Sequence, residues 1–140
     1  MTINDIQDQI IEEFTGLDDW MDRYALLIEL GNDIPAFPTE YRTDNNLIEG
    51  CQSKVWLQAD MQDGKVHFQG DSDAILVKGI VALLIRVLDY QEPKDIIDAN
   101  LYFIDRIGLK EHLSPTRSNG LLAMLKQMRL YAIAFYSTQK

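Results

Sequence analysis

The residue with the clearest chemical potential in this chain is Cys51, its only cysteine. A lone cysteine can form no disulfide within the chain, and it holds a metal ion only with ligands of other residue types. It can still carry out one-sulfur chemistry, in which a thiolate attacks an electrophilic sulfur, carries it and passes it on. The alternative is a small apolar core residue, because free cysteines are often buried and most of those are inert.

The residues around Cys51 favour the reactive alternative. The cysteine follows Gly50 and precedes Gln52 and Ser53, so its neighbours are small or polar rather than part of an apolar period. Backbone N–H groups in such a turn stabilise a thiolate, and Lys54 adds a positive charge nearby. From these residues alone we predict a reactive thiol, with the inert core residue kept as the alternative.

The two histidines are weaker candidates for chemistry. His67 lies on the polar face of a predicted strand, so we expect it to be solvated. His112 lies beside residues 114–120 and is expected to hydrogen-bond to that loop. The chain has no C-x-x-C or H-x-x-x-H pair, so no metal site is predicted. Nothing in the sequence brings either histidine to Cys51 as a hydrolytic triad requires.

Composition bounds the class of protein. The chain has 140 residues, of which 46% are hydrophobic and 25% charged, which is typical of one globular domain over residues 1–140. Its net charge of −9 disfavours nucleic acid and anionic membranes as partners. The charge favours a protein partner with a basic patch, or serves solubility alone. No signal peptide and no apolar run of membrane-spanning length is visible, so we expect a cytoplasmic protein.

Periodicity predicts the elements that precede the cysteine. Apolar residues three and four apart indicate a helix over residues 3–16, capped at Thr2. A second helix is predicted over residues 18–31, with Gly31 as its C-terminal glycine. Residues 32–46 contain two prolines and are predicted to form a loop.

A small sheet is predicted around and after the cysteine. Period-two alternation over residues 54–61 and 65–69 indicates two strands, joined by a hairpin at Asp63-Gly64. Leu47-Ile48 is predicted to form a third strand, which would place the cysteine at a turn between strands. We therefore expect a small antiparallel sheet of about three strands.

Helices are predicted for most of the second half. An apolar helix over residues 73–89 is expected to begin with Asp71 or Ser72 as its N-cap. Short helices near residues 93–97 and 101–108 follow, and the loop at residues 114–120 leads into a last helix that ends near residue 138. The predicted fold class is α+β, with several helices packed on one face of the sheet.

Three segments together resemble the SufE family, the sulfur-acceptor proteins of iron–sulfur cluster assembly that include the CsdE branch. The segments are Ile48-Glu49-Gly50-Cys51-Gln52-Ser53-Lys54-Val55-Trp56, Gly70-Asp71-Ser72-Asp73-Ala74-Ile75-Leu76-Val77-Lys78-Gly79 and Leu113-Ser114-Pro115-Thr116-Arg117-Ser118-Asn119-Gly120. Each motif alone is weak, but their combination at this separation is specific. The resemblance covers nearly the whole chain.

The resemblance implies a fold similar to that of the IscU cluster scaffolds and the function of a sulfur carrier. A SufS-like or CsdA-like cysteine desulfurase uses its pyridoxal phosphate to strip sulfur from cysteine, and holds it as a persulfide. Cys51 would accept this sulfur, pass it to an iron–sulfur scaffold complex, and so stimulate desulfurase turnover. The pyridoxal phosphate belongs to the partner, so we expect this chain to hold no cofactor and no metal, and to have no independent turnover.

The resemblance also implies supporting residues at some distance in sequence. Arg117, at the start of the last helix, would favour the thiolate or dock the partner; an ordinary surface arginine is the equal alternative. Asp71 and Asp73 are expected to hold the neighbouring helix cap and to shape the cysteine loop.

The residues next to the cysteine are expected to support the persulfide and its movement. Gln52 and Ser53 would supply hydrogen bonds to it. Gly50 would let the loop carry Cys51 between a sheltered and an exposed position, because glycine tolerates backbone angles that other residues avoid.

Two other functions remain open at this point. An IscU-like cluster scaffold would bind iron, for which one thiol is a poor ligand set. A pure adaptor would regulate the desulfurase through its acidic surface, with Cys51 in a structural role.

Overall fold

A long apolar helix forms the centre of the fold. The computed structural model describes residues 1–138. Its α-helices and strands are, in chain order, α1 (Ile3–Thr15), α2 (Trp20–Asn32), β1 (Val55–Gln62), β2 (Lys65–Ser72), α3 (Ile75–Leu88), α4 (Pro93–Asp98), α5 (Phe103–Arg106), α6 (Leu109–His112) and α7 (Pro115–Thr138), and two 3-10 turns, Thr39–Tyr41 and Asp44–Asn46, lie between α2 and β1. Helix α3 is buried along most of its length and contacts both α2 and β2. Helices and one small antiparallel sheet thus share a single core, which confirms the α+β class.

The start of α1 follows the local sequence closely. The Thr2 hydroxyl accepts a hydrogen bond from the Asp5 backbone N–H at 3.1 Å, and the Asp5 carboxylate accepts one from the Thr2 N–H at 3.1 Å. This reciprocal pair satisfies two of the N–H groups that a helix start leaves without partners. The apolar face of α1 is buried, so the predicted first helix is confirmed.

Gly31 has a different role from the one predicted. It lies inside α2, which continues to Asn32. A Cβ on Gly31 would lie 2.7 Å from the backbone nitrogen of Gly79 in α3, and a Cβ on Gly79 would lie 2.2 Å from the Leu27 carbonyl oxygen. Since both distances are far below van der Waals contact, these glycines allow the backbones of two helices to touch. Gly31 therefore serves helix packing and does not terminate the helix.

The sheet has two strands, so the expectation of three is wrong. β1 and β2 pair antiparallel around the predicted Asp63-Gly64 turn. The segment expected to form a third strand makes one isolated bridge, from Leu47 to Trp56. Gly50 then has a φ of +90°, which turns the chain away before a longer ladder can form.

The first turn of α3 also differs from the prediction. β2 runs through Asp71 and Ser72, so neither residue is the N-cap of α3. That position belongs to Ala74, whose side chain makes no capping hydrogen bond. The strand pairing with β1 extends further than the sequence pattern indicated, and the helix accordingly begins later.

The short helices after α3 are only partly as predicted. α4 begins with Pro93 at its first turn, as expected. The helical piece predicted over residues 101–108 is instead two single turns, α5 and α6, and the φ of +74° at Gly108 separates them.

Helix α7 begins earlier than predicted, because residues 115–120 are helical rather than a loop. Pro115 suits a first helical position, where its missing N–H costs nothing. The Ser114 hydroxyl caps the helix by accepting a hydrogen bond from the Arg117 N–H at 3.3 Å. Arg117 is thus presented from the first turn of a 24-residue helix.

Neighbouring groups hold both histidines in place. His67 Nδ1 lies 3.0 Å from an Asp89 carboxylate oxygen, so the expectation of a freely solvated side chain is wrong. His112 Nδ1 lies 3.0 Å from the Gly108 carbonyl, and its ring stacks on Trp20 with 3.7 Å between centroids. The predicted hydrogen bond from His112 to the following loop is therefore wrong as well.

Within residues 1–138, no helix combines the length and the apolar character needed to cross a membrane.

Candidate functional site

Cys51 lies on a short loop, residues 49–53, which we call the cysteine loop. On its incoming side, the Ile48 N–H donates to the Val55 carbonyl at 2.9 Å. Gly50 then adopts its left-handed conformation beside α7, where an added Cβ would lie 3.4 Å from the Cβ of Ala123. An L side chain at this position would be strained, so the turn that presents Cys51 depends on glycine.

The outgoing side of the cysteine loop is held through Lys54. Its backbone N–H donates to the Asp73 carboxylate at 3.1 Å, and its carbonyl accepts from the Asp73 N–H at 3.2 Å. The Ser72 hydroxyl donates to the same carbonyl at 2.9 Å. Asp73 therefore contacts the outgoing end of the loop and is not the N-cap of α3, and Ser72 is a contact that sequence reasoning missed.

The Cys51 thiol rests against the first turns of α7. Its Sγ lies 3.7 Å from the Gly120 carbonyl oxygen, within range of a weak S–H hydrogen bond. A Cβ on Gly120 would lie 3.4 Å from this sulfur. The side chain is half-buried, neither enclosed in the core nor fully exposed.

Burial raises the pKa of the Cys51 thiol, because removing water disfavours the charged thiolate. The positive charge of Arg117 does not reverse this direction. In the conformation described here Cys51 is therefore a protonated thiol at neutral pH, and such thiols are poor nucleophiles.

A cavity of about 290 Å³ opens beside the sulfur. It brings together four of the residues that the sequence pointed to: Cys51, Gln52, Ser53 and Arg117. The remaining lining residues were missed as site residues: Val77, Ser114, Thr116, Gly120 and Met124. The Ser114–Gly120 motif could have indicated Ser114, Thr116 and Gly120, because it combines a helix-capping serine with a glycine about one turn and a half later in the same helix.

Asp71 lies away from the cavity. Its buried carboxylate pairs with the Arg42 guanidinium and lies 3.5 Å from the Lys78 ammonium. The Arg42 guanidinium also covers the Trp56 ring, 4.8 Å from the centroid. Asp71 thus fixes the long segment between α2 and β1 onto the sheet, and the predicted capping role is wrong.

In the part of the chain that the structure describes, no three His, Cys, Asp or Glu side chains come together as a group that could hold a metal ion. The cysteine loop and its cavity can shelter one sulfur atom and present it to a reactant.

The raised pKa leads to a testable pH dependence. In the free protein, the rate of Cys51 alkylation by iodoacetamide should reach half its maximum above pH ~8.5, the ordinary cysteine value, and near that value in urea. Because the folded state binds this proton more tightly than the unfolded state, stability should also fall as pH rises above ~8.5. A midpoint below pH ~8.5 in the folded protein would contradict this account of the thiol.

The chain belongs to the SufE family: the family model described as "SufE: Fe-S metabolism associated domain" matches residues 8–132. This finding confirms the resemblance and gives the protein a role in iron–sulfur metabolism.

Similar proteins agree with the family. Proteins named uncharacterized SufE-like proteins from Rhizobium meliloti and a Synechocystis species are each 42% identical to this chain, over 128 and 127 residues. These matches cover 87% and 91% of this chain, and 91% and 80% of the respective relatives. The matched region therefore spans at least four-fifths of each relative.

A solved structure shares the fold. The solution structure of a hypothetical protein from Thermus thermophilus has a TM-score of 0.79 with this one at 24% sequence identity, covering 95% of this chain and 97% of that one. This likeness concerns the architecture alone.

Proposed function

We propose that this protein is a sulfur carrier of iron–sulfur cluster assembly, which takes persulfide sulfur from a cysteine desulfurase onto Cys51. The observation that carries the proposal is the placement of the chain's only thiol. This thiol belongs to a chain of the SufE family and lies on the cysteine loop, whose two ends are held by hydrogen bonds. It is half-buried beside a cavity that a single sulfur atom can occupy.

The proposed transfer is a thiol–persulfide exchange. The Cys51 thiolate attacks the outer sulfur of the donor's persulfide, a new S–S bond forms at Cys51, and the donor's own sulfur leaves as a thiolate. One neutral sulfur atom moves, so no external oxidant or reductant is required. The scaffold complex would collect the sulfur in a second exchange of the same kind.

The resting geometry supports a gated carrier. Seated against Gly120, the thiol is protonated and partly shielded, which protects the free protein from side reactions. Movement of the cysteine loop into water or into a partner's site would remove the burial that raises the pKa, and so increase the thiolate fraction. Because glycine tolerates backbone angles that other residues avoid, Gly50 would let residues 49–53 change conformation in this scheme.

The lining residues receive roles in this scheme. Gln52 and Ser53 flank the sulfur and would hydrogen-bond the persulfide. Arg117 makes no ion pair among residues 1–138, and its side chain is exposed. Its guanidinium is therefore available to bind a negatively charged group of the partner or the anionic loaded sulfur. Asp73 fixes the loop end and thereby limits how far Cys51 moves.

The partners in the proposal follow from the chemistry. The donor is a pyridoxal-phosphate cysteine desulfurase of the SufS or CsdA type, which keeps the cofactor in its own site. The recipient is an iron–sulfur scaffold complex. A lone free thiol is best preserved in a reducing compartment, so we place the reaction in the cytoplasm.

The proposal is tested by intact-mass measurement after incubation with a cysteine desulfurase and cysteine. We expect a gain of one sulfur atom per chain, located at Cys51 by peptide mapping and removed by dithiothreitol. Unchanged mass together with stimulated desulfurase turnover would instead support the pure adaptor.

The hold of Asp73 on the loop gives a further prediction. Asp73→Ala removes the acceptor for the Lys54 N–H, so the loop should loosen and Cys51 of the free protein should be alkylated several-fold faster. Asp73→Asn retains a side-chain oxygen at the same position and is the matched control, with a rate near that of the unaltered protein. Equal rates for all three proteins would contradict a role for this bond in holding the loop.

A further inference from the structure

We propose that Gly120 is a positioning residue that forms a seat for the unloaded thiol, and that this seat releases Cys51 once the sulfur is loaded. The inference rests on the proposed function, because it concerns the same sulfur in two states. The seat consists of two features of Gly120 in α7: the absence of a side chain and the backbone carbonyl.

The first argument is the presence of glycine inside a long helix. Gly120 is the sixth residue of α7 and is buried, at a position where glycine is less favourable for the helix than alanine. The three atoms nearest to a Cβ at this position would all belong to Cys51: Sγ at 3.4 Å, and Cα and Cβ at 4.0 Å. The 3.4 Å distance lies at the short end of ordinary van der Waals contact, and sulfur is larger than carbon. An added methyl group would therefore press on Cys51 before it met any other residue.

The Gly31 and Gly79 pair provides a comparison within the same molecule. There, added side chains would collide with the backbone of a facing helix at 2.2–2.7 Å. At Gly120 the facing group is a single residue on a loop. The first pair joins two helices permanently, whereas the seat at Gly120 contacts something that can leave.

The second argument is the polarity of the seat. The Gly120 carbonyl oxygen lies 3.7 Å from Sγ and can accept the thiol proton. A deprotonated sulfur has no proton to donate, and the partial negative charge of the carbonyl repels it. Because persulfides are more acidic than thiols, the loaded sulfur is largely anionic at neutral pH. The carbonyl thus favours the unloaded state and disfavours the loaded one.

Other residues around the cavity have the complementary polarity. Ser53, Thr116 and Arg117 line it, and the last two lie in the first turn of α7, whose dipole favours negative charge. Loading would therefore move the sulfur from the carbonyl toward these groups or out of the cavity. In either case residues 49–53 lose their contact with the Gly120 carbonyl, and the sulfur becomes available to the next acceptor.

The seat is tested first in the free protein by comparing Gly120→Ala with Gly16→Ala. Gly16 is the C-cap of α1, in a right-handed conformation far from the cysteine in the chain, so it controls for the general effect of replacing a glycine by alanine. We expect Gly120→Ala to be alkylated several-fold faster at pH ~7.5, below the ordinary cysteine pKa, with an unaltered circular dichroism spectrum. Gly16→Ala should match the unaltered protein. An equal or slower rate in Gly120→Ala would overturn the seat.

The release is tested without any substitution, by hydrogen exchange of the thiol and persulfide forms. The persulfide is made chemically: hydrosulfide attacks the Cys51 sulfur of a mixed disulfide with a small thiol, forms the new S–S bond and expels that thiol. We expect faster amide exchange over residues 49–54 in the loaded form. Equal or slower exchange would overturn the release. Neither experiment contains a desulfurase, so each can fail while the proposed sulfur transfer stands, and the converse also holds.

Discussion

Cys51→Ser is expected to lose all gain of sulfur and all stimulation of desulfurase turnover, while it still binds the desulfurase. Serine is close in size to cysteine and fits beside Gly120, so the loop and the cavity should persist. Its hydroxyl is a far weaker nucleophile toward sulfur and cannot hold a persulfide. The loss should therefore be complete rather than graded, as measured by intact mass and by sulfide or alanine production.

The binding measurement separates this prediction from the adaptor function. A titration of Cys51→Ser into the desulfurase by calorimetry should give a Kd close to that of the unaltered chain. If the variant still stimulates turnover as fully as the unaltered protein, Cys51 is not the acceptor and the carrier proposal fails. If it neither binds nor folds, its circular dichroism spectrum will show that, and Cys51→Ala provides a second variant.

The largest expected effect on stability is that of Gly79→Ala. The added Cβ would lie 2.2 Å from the Leu27 carbonyl oxygen, and backbone atoms cannot rotate away as a side chain can. α2 and α3 would have to separate along the most extensive helix–helix contact in the described chain. Overpacking of this kind costs about 3 kcal/mol, and urea denaturation should show that loss of unfolding free energy.

The glycine control again lies at Gly16. There the nearest atom to an added Cβ would be the Glu12 carbonyl oxygen at 3.4 Å, so Gly16→Ala should change stability by less than about 0.5 kcal/mol. A Gly79→Ala protein as stable as Gly16→Ala would mean that the two helices do not touch through their backbones.

Local signals in the sequence were sufficient for several elements. The Thr2 and Asp5 cap and the Asp63-Gly64 turn each depend on residues close to one another in the chain, and the structure confirms both. Helix α1 was equally predictable, because its apolar residues recur every three or four positions along the chain.

The errors arose where the partner lies far away in sequence. Gly31 has the features of a helix end, and only its contact with Gly79 explains why the helix continues. Asp71 has the features of an N-cap, and only its pairing with Arg42 and Lys78 explains its burial within the strand. Residues close to Gly31 or Asp71 in the sequence give no indication of these long-range contacts.

The sequence was sufficient to name several residues of the candidate site but not to predict the protonation state of its thiol. The motif segments named Cys51, Gln52, Ser53 and Arg117, and the structure gathers them around one cavity. The direction of the thiol pKa depends on burial against Gly120, which lies 69 residues away in the chain. Sequence reasoning considered the positive charge of Arg117 and could not weigh it against that burial.

The two anchored ends of the cysteine loop set a limit on distance. Cys51 is three residues from both Ile48 and Lys54, whose backbone groups are held by the sheet and by Asp73. At about 3.5 Å per extended residue, its Cα can lie no more than ~10 Å from either anchor. This tether is too short to search a deep, narrow tunnel. In the proposed transfer, a donor whose reactive group lies further below its surface than this would have to bring that group outward during the encounter, so part of the motion needed for delivery would belong to the donor enzyme.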